Sequence, residues 1–206
     1  GFDVSARYYD GLSRVMSFGT DGWYLHLALL RAGLTAGMSL LDVGCGTGLS
    51  AGAARSIVGP QGYIVGVEPS RGMLGEALGG QRLHAGARGI AEALPIRDNR
   101  FDFLCMSFAL RHVADLQQAF REFQRVLKPG GILLRFHLKY LVPLITRLWS
   151  GSHVAQDLYR YCWDSHDQCV PPDGILSAMQ SVGLQEVKRW VEIGLFSEYT
   201  ARKPVA

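Results

Sequence analysis

The run Asp42-Val43-Gly44-Cys45-Gly46-Thr47-Gly48 sets alternating glycines directly behind an apolar stretch and an acid. Glycine lets a backbone turn sharply and approach a ligand with no side chain between them. A dinucleotide loop would follow GxGxxG, with a helix N-terminus aimed at a pyrophosphate. Here the pattern is GxGxG, and the leading Asp42 would repel a pyrophosphate. The same acid suits a ligand that carries an ammonium and a sulfonium. Glu68 closes the next apolar run, where a carboxylate can take both hydroxyls of a ribose. Glycines in a bare turn would explain the loop alone. Loop and acid together point to a nucleoside ligand with a cationic tail.

A second constellation follows Ser107. Arg111 and His112 stand just beyond another apolar run. Arginine is permanently charged and can stabilise a developing oxyanion. Histidine titrates near neutrality and can act as a general base. The alternatives are a surface or salt-bridged arginine and a hydrogen-bonded loop histidine. Of the four cysteines, Cys45 and Cys105 lie in glycine-rich and apolar contexts and read as small packing residues. Cys162 and Cys169 flank His166 without a CxxC spacing, so no metal site is assigned. His137 and His153 read as structural or solvent-facing. Trp149, Tyr159, Tyr161 and Trp163 would form the small core of a cap or line an aromatic pocket.

The elements that must hold these residues alternate in type. Ser39–Val43, Tyr63–Val67, 84–90, 101–108 and Ile132–Phe136 read as strands. Between them, Leu49–Val58, a helix capped by Ser70 and running through Leu78, and an amphipathic helix from Leu116 read as helices. In the last, Leu116, Ala119, Phe120, Phe123, Val126 and Leu127 recur at helical spacing, and Lys128-Pro129-Gly130-Gly131 ends it. Such alternation predicts right-handed βαβ units and a mainly parallel sheet. A helix over 175–182 and a pair of strands, 187–193 and 196–201, close the chain as an antiparallel hairpin at a sheet edge. The expected whole is one α/β domain over 1–206 with a Rossmann-like, mostly parallel seven-stranded sheet. A helical lead-in and cap (1–38), a core (39–137), a cap insertion (138–170) and a terminal helix with hairpin (171–206) divide it.

The bulk properties agree with one globular enzyme-sized domain. The chain has 206 residues, 48% of them hydrophobic, which argues against disorder. A net charge of +3 without a basic run gives no footprint for nucleic acid. No apolar stretch reaches the roughly 18 residues of a membrane span, and no signal-peptide pattern opens the chain, so a cytoplasmic protein is expected. The apolar stretch Tyr140–Trp149 is suited to guiding a lipid tail or touching a membrane surface.

The glycine loop, Glu68 and the order of elements resemble the class I methyltransferases over nearly the whole chain. The resemblance implies S-adenosylmethionine as cofactor, with S-adenosylhomocysteine as product. It implies that Asp42, Gly44, Cys45, Gly46 and Gly48 line the methionine moiety and that Glu68 holds the ribose. Pro69 and Met73 would flank the adenine, Ala91 and Glu92 would meet its edge through the backbone, and Ser107 would meet the methionine part. Ile90 stands where that family usually has Asp or Asn.

A narrower resemblance is to the C-methyltransferases of ubiquinone and menaquinone biosynthesis. It is carried by Tyr9-Asp10 with Met16-Ser17-Phe18-Gly19, by Ala91-Glu92-Ala93-Leu94-Pro95, and by Ser107-Phe108-Ala109-Leu110-Arg111-His112-Val113. Arg125-Val126-Leu127-Lys128-Pro129-Gly130-Gly131 matches too, but is common to many class I enzymes. The family usually has Asn at His112 and Asn-Asp at Ser13-Arg14, and the stretch between Phe136 and Pro171 is short beside it. The resemblance implies a small-molecule acceptor, a lipid quinol, for which the chemistry above makes Arg111 and His112 the candidate catalytic residues; Tyr9 would be either a cofactor carboxylate contact or helix packing. An oxygen or nitrogen acceptor, an arsenite acceptor at Cys162 and Cys169, and a cofactor-binding protein without transferase activity are the competing readings.

Overall fold

A computed structural model of the chain describes residues 21–107, 109–138, 170–192 and 196–205, without the side chains of Asp21, Arg111, His137 and Leu138. The strands are β1 (Ser39–Val43), β2 (Tyr63–Val67), β3 (Ala85–Ala87), β4 (Phe101–Ser107), β5 (Leu127–Leu138), β6 (Gln185–Glu192) and β7 (Phe196–Arg202). They form a seven-stranded sheet in the order β3-β2-β1-β4-β5-β7-β6. Strands β1 to β5 pair in parallel, while β7 runs antiparallel between β5 and β6. The strand order reverses at β1, whose neighbours are β2 and β4, so the segments leaving β1 and β4 part to opposite faces. The crevice opened there, beyond the carboxyl ends of the strands, is where open α/β sheets take their ligands.

Helices cover both faces. On one face, α1 (Asp21–Arg31), α2 (Leu49–Val58) and α3 (Arg71–Gly79) pack over Leu40, Ile64, Phe103 and Leu134. On the other, α4 (Leu116–Val126) and α5 (Pro172–Ser181) pack over Leu41, Val65, Leu104 and Leu133. Central strands buried on both faces carry nearly continuous apolar runs, which is why SLLDV and FDFLCMS read as strands without alternation. The buried face of α4 consists of Ala119, Phe120, Phe123 and Val126, with Phe120 and Phe123 meeting edge to face at 5.7 Å. Truncating either ring to Ala would cost about 3–5 kcal/mol.

Most expected elements fall where the pattern placed them, and the departures have physical causes. The third strand, expected over 84–90, is only Ala85–Ala87, because it pairs on one side and Gly89 turns against Pro95. Lys128–Gly131, expected to end the helix as a turn that followed Leu127, instead lies within β5, and α4 has already ended at Val126 with Leu127 as its C-cap. β5 starts at once at Leu127, and its register on β4 slips between Phe101 and Phe103 as a bulge. Gly130 N–H donates to Lys203 O and Lys203 N–H to Gly131 O, so the extra residues are paired to the chain beyond β7. Within the lead-in expected to cap the strand ends, α1 instead covers a sheet face, burying Tyr24, Leu25, Ala28 and Leu29. Residues 1–20 of the lead-in and 139–169 of the insertion expected as a cap lie outside the described residues, as do Cys162, His166, Cys169 and the aromatic cluster from Trp149 to Trp163.

Candidate active site

The loop between β1 and α2 is shaped by glycine. Gly44, at φ +66°, lies so close to the segment after β4 that a Cβ there would sit 2.5 Å from Ala109 Cβ. Gly48, at φ +86°, is the N-cap of α2, where any other residue would be strained and would press on Ala77 and Arg82. The loop is then tied down by β2: Gly44 N–H donates to Val67 O at 2.8 Å and Cys45 N–H to the same oxygen at 3.3 Å. Gly46 N–H donates to Glu68 Oε2 at 3.0 Å, and Ser70 N–H donates to Glu68 Oε1 at 3.0 Å. Glu68 is buried to 7% exposure, and its carboxylate closes the loop from the end of β2. Each oxygen retains a lone pair for a ligand hydroxyl.

Asp42 lies beneath this loop, at 1% exposure. Its Oδ1 accepts from the Cys105 thiol at 3.5 Å, while Oδ2 has no hydrogen-bond partner. Burial pushes the carboxyl up to about 7; the Cys105 thiol and the Ala51 amide partly offset this, and Glu68 adds to it. Cys45 and Cys105 are both buried free thiols whose ionisation is suppressed first by burial and then by Asp42. They pack, as their contexts suggested. Ser70 caps α3 by accepting from Met73 N–H at 3.3 Å, which brings buried Met73 near Gly46. Pro69 is exposed at the strand end, with Arg88 Nε donating to its carbonyl at 3.2 Å.

The segment beside the glycine loop is built from β4 onward. Ser107 is the last residue of β4, paired with Phe136 of β5. A single 3-10 turn, Leu110–His112, follows, closed by His112 N–H to Ala109 O and Val113 N–H to Leu110 O. His112 is exposed, and Arg111 occupies the middle of the turn. Ala91 is buried with Leu110 in one cluster, so the segment after β3 and this turn pack together. The structure thus brings Asp42, Gly44, Cys45, Gly46, Gly48, Glu68, Pro69 and Met73 around one loop, and sets Ala91, Glu92, Ser107, Arg111 and His112 on adjoining segments. Tyr9 lies outside the described residues.

The Glu92 carboxylate has partners that motif reading did not foresee. Its Oε1 accepts from Ala114 N–H at 2.7 Å and Asp115 N–H at 3.3 Å. Arg135, at the ligand half of β5, is buried over the Tyr199 ring at 4.9 Å, and Arg189 approaches the same ring at 5.7 Å. On the opposite face, the Tyr24 hydroxyl donates to buried Glu198 at 2.9 Å and lies 3.2 Å from Glu192, while Arg31 bridges both acids. An arginine among apolar neighbours, as in LLRFHL, is the one sequence signal that marked any of these.

S-adenosylmethionine fits these residues. The glycine loop offers close backbone approach, Glu68 offers free lone pairs, and Asp42 and Glu68 supply negative potential for a cationic ligand. A parallel sheet with an antiparallel β7, a glycine loop after β1 and an acid after β2 together define a class I S-adenosylmethionine-dependent methyltransferase. A methyltransferase domain model matches residues 41–135. The ubiquinone/menaquinone biosynthesis C-methyltransferase UbiE of Hahella chejuensis is 34% identical over 89% of this chain and 81% of its own length. The demethylmenaquinone methyltransferase of Desulfitobacterium hafniense is 29% identical over 98% of this chain and 88% of its own. The chain belongs to this ubiquinone/menaquinone biosynthesis C-methyltransferase family. Among solved structures, the fold is similar to S-adenosylmethionine-dependent methyltransferases of Aquifex aeolicus (TM-score 0.73, 20% identity, 98% of each chain) and Methanococcus maripaludis (0.75, 20%, 99% of this chain and 94% of that one). No described helix is long and apolar enough to cross a membrane.

Proposed function

We propose that the protein methylates a ring carbon of a quinol, with Arg111 and His112 serving the acceptor. The observation that carries this reading is the contact between the cofactor loop and the acceptor turn, where Gly44 leaves no room for a Cβ beside Ala109. A donor held by the loop is thereby adjacent to whatever the Leu110–His112 turn holds. Methyl transfer is an in-line displacement, so proximity and orientation supply much of the rate. In this reading Asp42, Gly44, Cys45, Gly46 and Gly48 line the methionine end, with the Asp42 charge acting from beneath the loop. Glu68 takes the ribose hydroxyls, Pro69 and Met73 flank the adenine, and the main chain of Ala91 and Glu92 meets its edge. Ser107 meets the methionine end, and Tyr9 is assigned a contact to the cofactor carboxylate.

Bound S-adenosylmethionine supplies the electrophilic methyl group. The chain's own residues position the acceptor and favour its ionised form. A quinol carbon becomes nucleophilic when its hydroxyl loses a proton, and a phenol's pKa is about 10. Arg111 would hold the resulting phenolate and His112 would take the hydroxyl proton; the methylated ring carbon would then lose its own proton to water, and the phenolate would regain one from His112.

Isothermal titration with S-adenosylhomocysteine tests the first half; folded protein that does not bind it overturns the reading. Incubation with S-adenosylmethionine and a panel of quinols, phenols, amines and thiols tests the second, by methyl-mass gain. Product from amines or thiols alone would replace the quinol. Arg111→Ala is expected to lower kcat about 100-fold with unchanged S-adenosylhomocysteine affinity, and wild-type turnover would refute the oxyanion role. A prenylated acceptor predicts faster turnover when the quinol is presented in vesicles.

A further inference from the structure

We propose that Glu92 is a positioning residue that couples occupancy of the cofactor site to the order of the turn carrying Arg111 and His112. The proposal rests on the cofactor reading above. Ile90–Ala93 is a tight turn, closed by Ala93 N–H to Ile90 O at 3.2 Å. Its backbone faces two duties at one residue. The main chain of Ala91 and Glu92 is assigned to the adenine edge, while the Glu92 carboxylate crosses to the start of α4.

The chain there needs an acceptor. The 3-10 turn ends when Val113 N–H reaches Leu110 O, and α4 begins only after its N-cap, Asp115. The amides of Ala114 and Asp115 fall between the two and have no helical carbonyl available to them. Glu92 Oε1 takes both, and its negative charge is favourable at a helix N-terminus. The link is reciprocated: Gln118 Nε2 donates to Glu92 O at 3.3 Å, while the Asp115 side chain is occupied with Gln118 N–H at 2.9 Å. Further along α4, Glu122 accepts from Leu94 N–H at 2.8 Å, and Arg125 donates to Leu94 O and Ile96 O. That end of the loop is clamped independently of Glu92. The Glu92 carboxylate spans from the adenine turn to Ala114 and Asp115, just beyond the Leu110–His112 turn and its C-cap Val113.

Hydrogen exchange read at single amides, with and without S-adenosylhomocysteine, tests the coupling in the wild type, Glu92→Gln and Glu92→Ala. In the wild type, ligand is expected to slow exchange at Ala114 and Asp115 about tenfold. Glu92→Gln keeps an acceptor oxygen and should retain most of that response. Under saturating S-adenosylhomocysteine, Glu92→Ala should lose the response at these two amides, because the carboxylate link to them is gone. A wild type that binds ligand without any change at these amides overturns the coupling and leaves the cofactor reading intact. So does a Glu92→Ala protein that keeps the protection. Absence of ligand binding to the folded wild type removes the cofactor reading and the coupling with it. Should Glu92→Ala fail to fold, a Glu92→Gln protein with no protection overturns the proposal.

Discussion

Replacing Asp42 with Asn should make stability less sensitive to alkaline pH. Asp42 is buried beneath the glycine loop, and burial raises its carboxyl from 3.8 to about 7. An acid whose pKa is raised on folding destabilises the fold when it ionises. Its contribution is therefore most favourable below 3.8 and is lost as the pH rises through about 7. The full penalty is about 4 kcal/mol, of which about 2 kcal/mol is incurred between roughly pH 5.5 and pH 8.5. Asn is isosteric and never ionises. Its carbonyl can keep the Cys105 thiol, but its amide enters the position of Oδ2, which has no partner, at a pH-independent cost of about 1–3 kcal/mol. The informative quantity is thus the change with pH of the difference between variant and wild type. Urea denaturation at both pH values should show Asp42→Asn gaining about 2 kcal/mol on the wild type from the lower to the higher, or roughly 4–8 °C in Tm. S-adenosylhomocysteine affinity near pH 8 should fall about tenfold, since the negative charge under the loop is gone. A difference that stays constant with pH would refute the assignment of the penalty to Asp42.

Other perturbations test separate parts of the framework. Gly44→Ala adds a methyl group 2.5 Å from Ala109 Cβ at φ +66°, and should cost about 1–3 kcal/mol and most S-adenosylhomocysteine binding. Ala109→Gly in the same chain should restore part of the loss, the steric part, and an additive double mutant would show that the two positions do not meet. Tyr24→Phe removes a donor from Glu198, whose carboxyl burial already pushes up and Tyr24 and Arg31 pull back. The variant should lose about 1–3 kcal/mol by thermal or urea denaturation. Glu198 then rises further, so the deficit should be larger at neutral pH than below the ordinary carboxylate range. A deficit independent of pH would mean that the hydroxyl does not serve the ionised acid.

The parts of the fold legible in the sequence are those decided by neighbours along the chain. Ser39–Val43, Leu49–Val58 and Tyr63–Val67 were bounded correctly because glycine and proline punctuate them and both faces of each strand are buried. Ser70 was identifiable as a cap because capping is a local bond to Met73. The length of β3 was not legible, since an apolar run does not reveal whether a strand has one neighbour or two. Lys128-Pro129-Gly130-Gly131 looked like a turn because its partner, Lys203, is remote in sequence. The site divides the same way. A glycine loop after β1 and an acid at the end of β2 are legible from type and spacing. That Asp42 would be buried against Cys105, that Glu92 would serve α4, and that Tyr24 would meet Glu198 all depend on segments brought together only by the assembled sheet.

The position of β7 bears on how this protein can be made. Counted along the chain, β7 follows β6, yet in the sheet it lies inside it, between β5 and β6. While the chain emerges from a ribosome, β6 appears with no partner it can keep, and the edge of β5 stands open until Phe196–Arg202 arrives. The register Ile132↔Arg202 to Leu138↔Phe196 closes the β5 edge, and β7 in turn supplies the partner of β6. Stalled or clipped chains that end between Glu192 and Phe196 would expose a long apolar strand edge, the kind of surface that seeds aggregation and engages chaperones.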